Sequence, residues 1–371
     1  MRIAYICKCR YMGHHVISDR YARLYEQPRQ LARRGHEVLG VCLNYIPGQG
    51  RHDEWHEAEP GQLHWVAFSC GFLHLLTYPQ RALRALRIFG PDLLVAASDC
   101  PHVAIGSWFA NRLKVPYAVD LYDHFESFGL CRIPGLISLY RNALRKARCV
   151  SCVSEPLAQW VRDLKGDASA VLALPSTVDR DLLRPRDRLA CRRSLGLPVH
   201  AQLVGSAGGL SRSKGIATLY QAFDWLADRM PDLHLVLAGT VEPSCPPPDH
   251  PRVHLLGSLS HARIAELFSA LDVGVVYLRD TAYGRFSFPQ KAYEMAACGL
   301  PLVIARVGAM ADTFAGSGAE FYAADDALAL ASGLERQLAS PKKPDVVLTD
   351  WAQQAEILEG AYREVLSRKS F

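Results

Sequence analysis

Short, nearly continuous apolar runs recur along the chain, and the stretches between them return an apolar residue every third or fourth position. Residues 2–7 form the first run, 8–19 a polar loop containing glycine, 21–34 a helical pattern stopped by Gly35, and 36–43 the next run. The chain therefore opens strand, loop, helix, strand. Further runs at 92–97, 117–121 and 149–153 are spaced by helical patterns such as 104–113 and 137–146. Alternation of this kind predicts a parallel, doubly wound sheet.

The pattern restarts after Leu182-Leu183-Arg184-Pro185-Arg186, which reads as a hinge. Strand runs at 202–205, 233–238, 253–256 and 273–277, with helical patterns at 215–229 and 262–270, predict a second sheet of the same kind. The proline-rich stretch 242–250 reads as a surface loop and 351–366 as a long terminal helix. A chain of 371 residues is long enough for two domains. They are expected at 1–185 and 186–350, with 351–371 a terminal helix packing back on the first. Two such α/β domains in tandem offer a central cleft between the carboxyl ends of two sheets, where open sheets of this class take their ligands.

Composition narrows the class without naming it. Hydrophobic residues make up 49% and charged residues 21%, the balance of a globular protein. Eleven cysteines at irregular positions, many inside apolar runs, read as small buried hydrophobes rather than a disulfide framework, which suits a reducing cytoplasm. Cys7-x-Cys9 and Cys149-x-x-Cys152 lack a second ligand pair at zinc spacing, so no metal is expected. The chain shows neither a secretory leader nor an apolar run of about 18 residues, so no membrane span is expected. Residues 1–185 carry 23 Lys and Arg against 17 Asp and Glu, whereas 186–371 carry 19 against 20. An acidic partner would meet the first half.

Two segments of the second half carry candidate chemistry. Residues 204–215, VGSAGGLSRSKG, run from a strand through Gly208 and Gly209 to a helix start with Arg212 and Lys214. Glycines let the backbone approach a phosphate and Lys214 adds a point charge, although the pattern is neither a Walker loop nor a full GxGxxG. A glycine-rich turn with solvated cations has the same sequence. Residues 283–301, YGRFSFPQKAYEMAACGLP, read as a tight loop feeding a helix with Pro289 in its first turn and with Lys291 and Glu294 three apart on one face. Amides at such a start attract anions, and an ordinary helix–strand junction would look alike.

With 208–223, 233–240, 253–277 and 286–303 in this order and spacing, the second half resembles the nucleotide-sugar-binding domain of retaining glycosyltransferases of the two-Rossmann GT-B fold, specifically the family-4 group. The first half resembles it more loosely, through 31–41, Val153-Ser154 and 175–185. The resemblance implies a nucleotide sugar as donor substrate, no cofactor and no metal, and no nucleic acid partner. By position, it implies that Lys214 holds the donor diphosphate and Glu294 the ribose hydroxyls. Ser287, Phe288, Pro289 and Gln290 fall in the loop beside the diphosphate and sugar, and Gly257 and Ser258 in the turn beside the base. Arg212 and Lys291 would neutralise charge on the leaving diphosphate.

Three positions depart from the family pattern. The first glutamate of its Glu-x7-Glu motif falls at Phe286, the usual partner arginine of Lys214 falls at Gly209, and the His-Asp pair after a first-domain strand aligns with Tyr122-Asp123, the histidine being His124. Asp123 or His124 would orient sugar hydroxyls or stabilise developing positive charge; either would equally serve as a strand-end cap. Gly13, His14 and His15, in the loop after the first strand, are the candidates for contact with a saccharide or lipid-linked acceptor, and solvated loop histidines are the plainer reading. Arginines follow apolar residues at 71–87 and again at 136–148, a mixture that suits either peripheral contact with an anionic membrane or helices with solvated outer faces. The expected function is transfer of a sugar in bacterial cell-surface polysaccharide or glycolipid synthesis. The alternative is a catalytically silent GT-B subunit that binds a sugar nucleotide or a partner, motivated by Phe286 and Gly209.

Overall fold

A computed structural model describes every residue except 12–13, 21, 47–51, 70–71, 168–170 and 369–371. The chain forms two compact units, one of Met1–Ser176 with Trp351–Phe371 and one of Thr177–Asp350. The first unit contains β1 (Arg2–Lys8), a two-residue hairpin of β2 (Arg10–Tyr11) and β3 (His14–His15), α1 (Ala22–Arg33), β4 (Glu37–Asn44), β5 (His52–His56), β6 (Gln62–Ser69) and α2 (Phe72–Phe89). It continues through β7 (Leu93–Ala97), α3 (Cys100–Leu113), β8 (Tyr117–Leu121), two 3-10 turns at Phe125–Ser127 and Gly129–Arg132, α4 (Leu136–Lys146), β9 (Cys149–Cys152), α5 (Glu155–Lys165) and β10 (Val171–Ala173).

The second unit runs α6 (Arg188–Ser194), β11 (Gln202–Ala207), a 3-10 turn at Arg212–Lys214, α7 (Ile216–Ala227), β12 (Leu233–Ala238), β13 (Val253–Leu255), α8 (His261–Ala270) and β14 (Val273–Val276). It closes with α9 (Ala282–Phe286), α10 (Gln290–Ala297), β15 (Leu302–Ala305), α11 (Ala309–Thr313), β16 (Glu320–Tyr322) and α12 (Ala327–Ala339), after which α13 (Trp351–Ser367) belongs to the first unit.

The sheets are ordered β10-β9-β8-β7-β1-β4-β6-β5 and β13-β12-β11-β14-β15-β16. All pairings are parallel except β5 with β6. Central strands such as β7 and β14 are buried at every residue, because helices cover both faces, and this is why they read as unbroken apolar runs. The strand order reverses between β1 and β7 in the first unit and between β11 and β14 in the second, and the crevice beyond the carboxyl ends of such strands is the ligand position of this fold class.

Side-chain caps set several helix ends. Asp99 caps α3 by accepting from the His102 N–H, with Pro101 in the first turn, so the helix starts four residues before the expected 104. Ser154 caps α5 through the Leu157 N–H, and Gly166 ends it in the left-handed region. Helix α13 joins the first unit's core with Ala355, Leu358, Tyr362 and Val365, and its Glu359 pairs with Arg34. Arg23 and Asp120, both fully buried, form a paired contact with Nε 2.9 Å from Oδ2, and Arg23 also donates to the Leu174 carbonyl. A lone charge there would carry a heavy desolvation cost.

One expectation about the cysteines is corrected. Cys100 and Cys131 are joined in a disulfide, because the first turn of α3 and the second 3-10 turn bring their sulfurs together. The other eight described cysteines are free and buried, which is the behaviour of small hydrophobes. Among the described residues, no helix is long and apolar enough to cross a membrane.

Candidate active site

The second unit's switch point is built on glycines. Gly208 follows β11 at φ +111°, and Gly239 follows β12 at φ +128°, a region that side-chain-bearing residues rarely occupy. The two loops lie against each other so closely that a Cβ on Gly239 would meet the Gly208 carbonyl oxygen at 1.8 Å. Backbone bonds from Gly208 N–H to Ala238 O (2.9 Å), Leu210 N–H to Thr240 O (2.9 Å) and Gly239 N–H to Gly257 O (2.7 Å) tie three loop starts together. Gly257, itself at φ +66°, is thereby held beside the glycine loop, with Ser258 exposed next to it.

Lys214 ends its 3-10 turn and folds back over the loop, so that a Cβ on Gly209 would sit 2.9 Å from the Lys214 ammonium. The space in which the family arginine would start is thus taken by the lysine itself. Arg212 is exposed, and its N–H donates to Glu242 Oε2 at 2.8 Å. That bond fixes the turn and leaves the guanidinium on the surface.

Helix α10 supplies the rest. Pro289 occupies its N-cap position, and Gln290 Nε2 donates to Glu294 Oε1 at 3.1 Å one turn on. The Lys291 ammonium lies 3.5 Å from the centre of the Tyr277 ring and 3.3 Å from Ser206 Oγ. Ser206 donates its proton to Val275 O (2.7 Å) and so turns a lone pair to the lysine, while Tyr277 donates to Gly209 O (3.1 Å). One aromatic ring therefore connects the glycine loop to the α10 cation.

Enclosure perturbs both charged groups of α10. Burial, then repulsion from Lys214, pulls the Lys291 ammonium down to about 7, against attraction from Glu294. The residue as a whole is half-buried. Burial pushes the Glu294 carboxyl up to about 7, opposed by the Gln290 bond and by Lys291. Two ammonium groups that repel each other beside a glycine-rich backbone are relieved of that repulsion by any anion that reaches both.

The remaining candidates of the α9–α10 segment are placed differently. The Ser287 amide donates to Tyr283 O (2.9 Å), and the buried Phe288 ring stacks edge-on against Tyr293 at 4.8 Å, so both serve the fold of the loop. Phe286 ends α9 and is half-buried. Tyr277 and Ser206 were given no role in the sequence, where Tyr277 closed the strand run 273–277 and Ser206 lay in the 204–215 segment just after the run 202–205; a tyrosine at the carboxyl end of a buried β14 was the available signal.

In the first unit, Asp123 Oδ1 accepts from the His124 N–H at 2.9 Å, and His124 stands at the N-cap position of the following 3-10 turn, its Nδ1 2.8 Å from Ser127 Oγ and its ring edge-on to Trp160. Burial lowers the His124 pKa. His14 is exposed beside Asp19, whereas His15 is buried with its ring 4.8 Å from His52, and Gly13 lies outside the described residues. Beside them the structure reveals a network that the sequence did not signal. Asp99 accepts from His102 Nδ1 (2.6 Å) and from the Tyr45 hydroxyl (3.0 Å), and the preceding Ser98 stands at φ +89°, held by Lys8 N–H and Tyr122 OH. Among the described residues, no group of three His, Cys, Asp or Glu is arranged to hold a metal ion.

Residues 22–177 match the family model of the glycosyl transferase 4-like domain, and residues 201–340 match that of glycosyl transferases group 1. The chain belongs to the GT-B glycosyltransferases of the family-4 group. This family member is 30% identical over 235 residues to D-inositol 3-phosphate glycosyltransferase of Stackebrandtia nassauensis, covering 56% of this chain and 51% of that protein. It is 24% identical over 269 residues to TuaC of Bacillus subtilis, a glycosyltransferase named for teichuronic acid biosynthesis, covering 70% and 64%. The chain thus spans about half to two thirds of the length of these relatives. Among solved structures it is similar to sucrose-phosphate synthase from Thermosynechococcus elongatus, with TM-score 0.76, 19% identity and 99% of each chain covered. Anabaena HepE in complex with UDP-glucose gives TM-score 0.71 at 17% identity, covering 99% of this chain and 98% of that one. At such identities these structures establish the fold, GT-B.

Proposed function

We propose that this glycosyltransferase moves a sugar, with retention of anomeric configuration and without a metal, from a nucleotide sugar to a saccharide or lipid-linked acceptor in bacterial cell-surface polysaccharide or glycolipid synthesis. The observation that carries the reading is the pair of Lys214 and Lys291 beside the glycine loop, with Glu294 buried behind them. In the reaction, the bond from the sugar's C1 to the diphosphate oxygen breaks and its electron pair stays with the diphosphate. An acceptor hydroxyl oxygen bonds to C1 from the same face, and its proton passes to the departing oxygen. Lys214 and Lys291 neutralise the charge that develops on the leaving group, as preorganised donors in an enclosed site do. Glu294, one helical turn inside α10, accepts ribose hydroxyls. Asp123 and His124 orient substrate hydroxyls at the carboxyl edge of the first sheet. The UDP-glucose complex of the similar HepE and the polysaccharide role in the name of TuaC support the donor class and the pathway class.

The test is incubation of the chain with a panel of UDP-, GDP- and ADP-sugars, following release of the nucleoside diphosphate and the anomeric configuration of the product by NMR. Release with retained configuration is expected for one base. Phe286 at the first glutamate position favours a second reading, a silent subunit, and binding of a nucleoside diphosphate with no turnover of any donor would select it.

A further inference from the structure

The glycine loop of the second unit holds Lys214 over Gly209 and leaves Arg212 exposed, so neither position supplies a guanidinium beside the lysine. Another arginine reaches the same loop from across the switch point. Past its last paired residue, β14 runs on through Tyr277 and Leu278 to Arg279. A Cβ on Gly215, the residue after Lys214, would meet the Leu278 carbonyl carbon at 3.4 Å, the Arg279 nitrogen at 3.5 Å and the Arg279 Cγ at 3.1 Å. The start of the Arg279 side chain therefore lies directly on the loop that carries Lys214. Its other side is closed as well. The Arg279 carbonyl accepts from the Thr281 N–H at 2.9 Å and would sit 2.0 Å from a Cβ on Gly284.

The tip of Arg279 is held less firmly than its root. Its Nε lies 3.2 Å from each Asp325 carboxylate oxygen, and the two side chains are 43% and 47% exposed. Asp325 follows β16 by three residues, so the pair reaches along the carboxyl edge of the sheet from β14 to β16. Arg285, close by in the chain, is engaged differently, with Nε and Nη2 each bonded to Asp280, at 2.5 and 3.1 Å. A contact as exposed as that of Arg279 through one nitrogen contributes little to stability, and a stronger acceptor displaces it.

Resting on the donor reading above, we propose that Arg279 is a ligand of the donor diphosphate, released to it by Asp325. The ammonium of Lys214 is a point charge, whereas a guanidinium offers a planar fork that matches two phosphate oxygens. Arg279 brings that fork to the switch point from β14 rather than from β11. Asp325 keeps the side chain at the carboxyl edge while the site is empty and gives it up when the diphosphate arrives. The guanidinium donates N–H bonds and transfers no proton, so the electron pair of the broken sugar bond stays with the diphosphate.

The experiment is calorimetric titration of the full chain with UDP, GDP and ADP in the parent, R279M, D325N and the double variant. Methionine keeps an apolar stem on Gly215 and removes the charge. R279M should weaken binding of the preferred nucleoside diphosphate by about tenfold, the worth of a bond between charged groups. D325N should strengthen it by about twofold to fivefold, because the competing acceptor is gone, and this gain should vanish in the double variant. A pair that only braces the fold would make D325N and R279M act alike, and that result would overturn the proposal. So would R279M binding like the parent, or a D325N gain that persists without Arg279. Should R279M disturb the fold, R279K carries the same test, since it keeps the charge but loses the fork, and affinity equal to the parent would count against the proposal. A parent that binds none of the three nucleotides would overturn the donor reading together with this inference, whereas tight binding indifferent to position 279 would overturn this inference alone.

Discussion

Both units wind a parallel sheet in the same way and reverse strand order beside their first strand, yet the two switch points carry opposite chemistry. In the second, β11 runs into two glycines whose backbone admits close approach, the Lys214 ammonium lies over Gly209, and the Lys291 ammonium sits on the Tyr277 ring. In the first, β1 runs into Lys8 and a small hairpin, and the strand ends carry a bonded network of Asp99, His102, Tyr45 and Ser98. The difference lies in the loops. A shared fold supplies the crevice, and only the glycine loop turns it into a receptor for a polyanion. The first unit's network, a carboxylate that gathers an imidazole and a tyrosine hydroxyl, suits hydroxyl groups.

The largest expected effect falls on the charged side of this contrast. Lys214→Ala should lower turnover by about 10²–10³, the worth of one preorganised donor, and unchanged turnover would remove Lys214 from the leaving-group site. Glu294→Ala should weaken nucleoside diphosphate affinity by about 10–100-fold, the range for a bond to a charged group, measured by calorimetry. Gly209→Ala is milder: its Cβ would press on the flexible end of Lys214 at 2.9 Å, so a loss of about threefold to tenfold in affinity is expected, and none at all would mean that Lys214 does not need that position. His124→Phe, on the neutral side, should leave nucleoside diphosphate affinity within about twofold while reducing turnover, and a joint loss of both would erase the division of labour between the units.

The smallest effect is on stability. Between pH about 7 and its ordinary value near 10.5, Lys291 binds fewer protons folded than unfolded, so stability rises with pH there. Between about 4.5 and 7, Glu294 binds more protons folded than unfolded, so stability falls as pH rises. The second unit should show a shallow minimum near neutrality, a dip of about 2–4 °C in melting temperature, and K291M with E294Q should flatten it.

Much of the frame was legible in the sequence because parallel strands buried on both faces leave unbroken apolar runs, as in β7, β12 and β14. Edge strand β5, HDEWH, pairs antiparallel with one face in solvent and carries no such run, and β6 beside it went unassigned as well. Helix α12 was missed because a run of Ala, Leu and Ser shows little periodicity. In the site, lysine, glutamate and glycines announce themselves by residue type. The roles of Tyr277 and Ser206 depend on which side of a strand end they face, and the obstruction of position 209 by Lys214 depends on a folded-back side chain; neither is written in spacing.

The central claim is that a donor diphosphate is held by Lys214 and Lys291 together, and the most direct measurement is the affinity of the nucleoside diphosphate that binds, followed from pH about 7 to 9 in the parent chain and in Lys291→Met. Because the empty-site ammonium of Lys291 sits at about 7 and a diphosphate favours its charged form, binding takes up a proton across this range. Affinity should fall as pH rises, by up to about tenfold per unit, and the slope should vanish in Lys291→Met. A pH-independent affinity in the parent, or the same slope in the variant, would contradict the account.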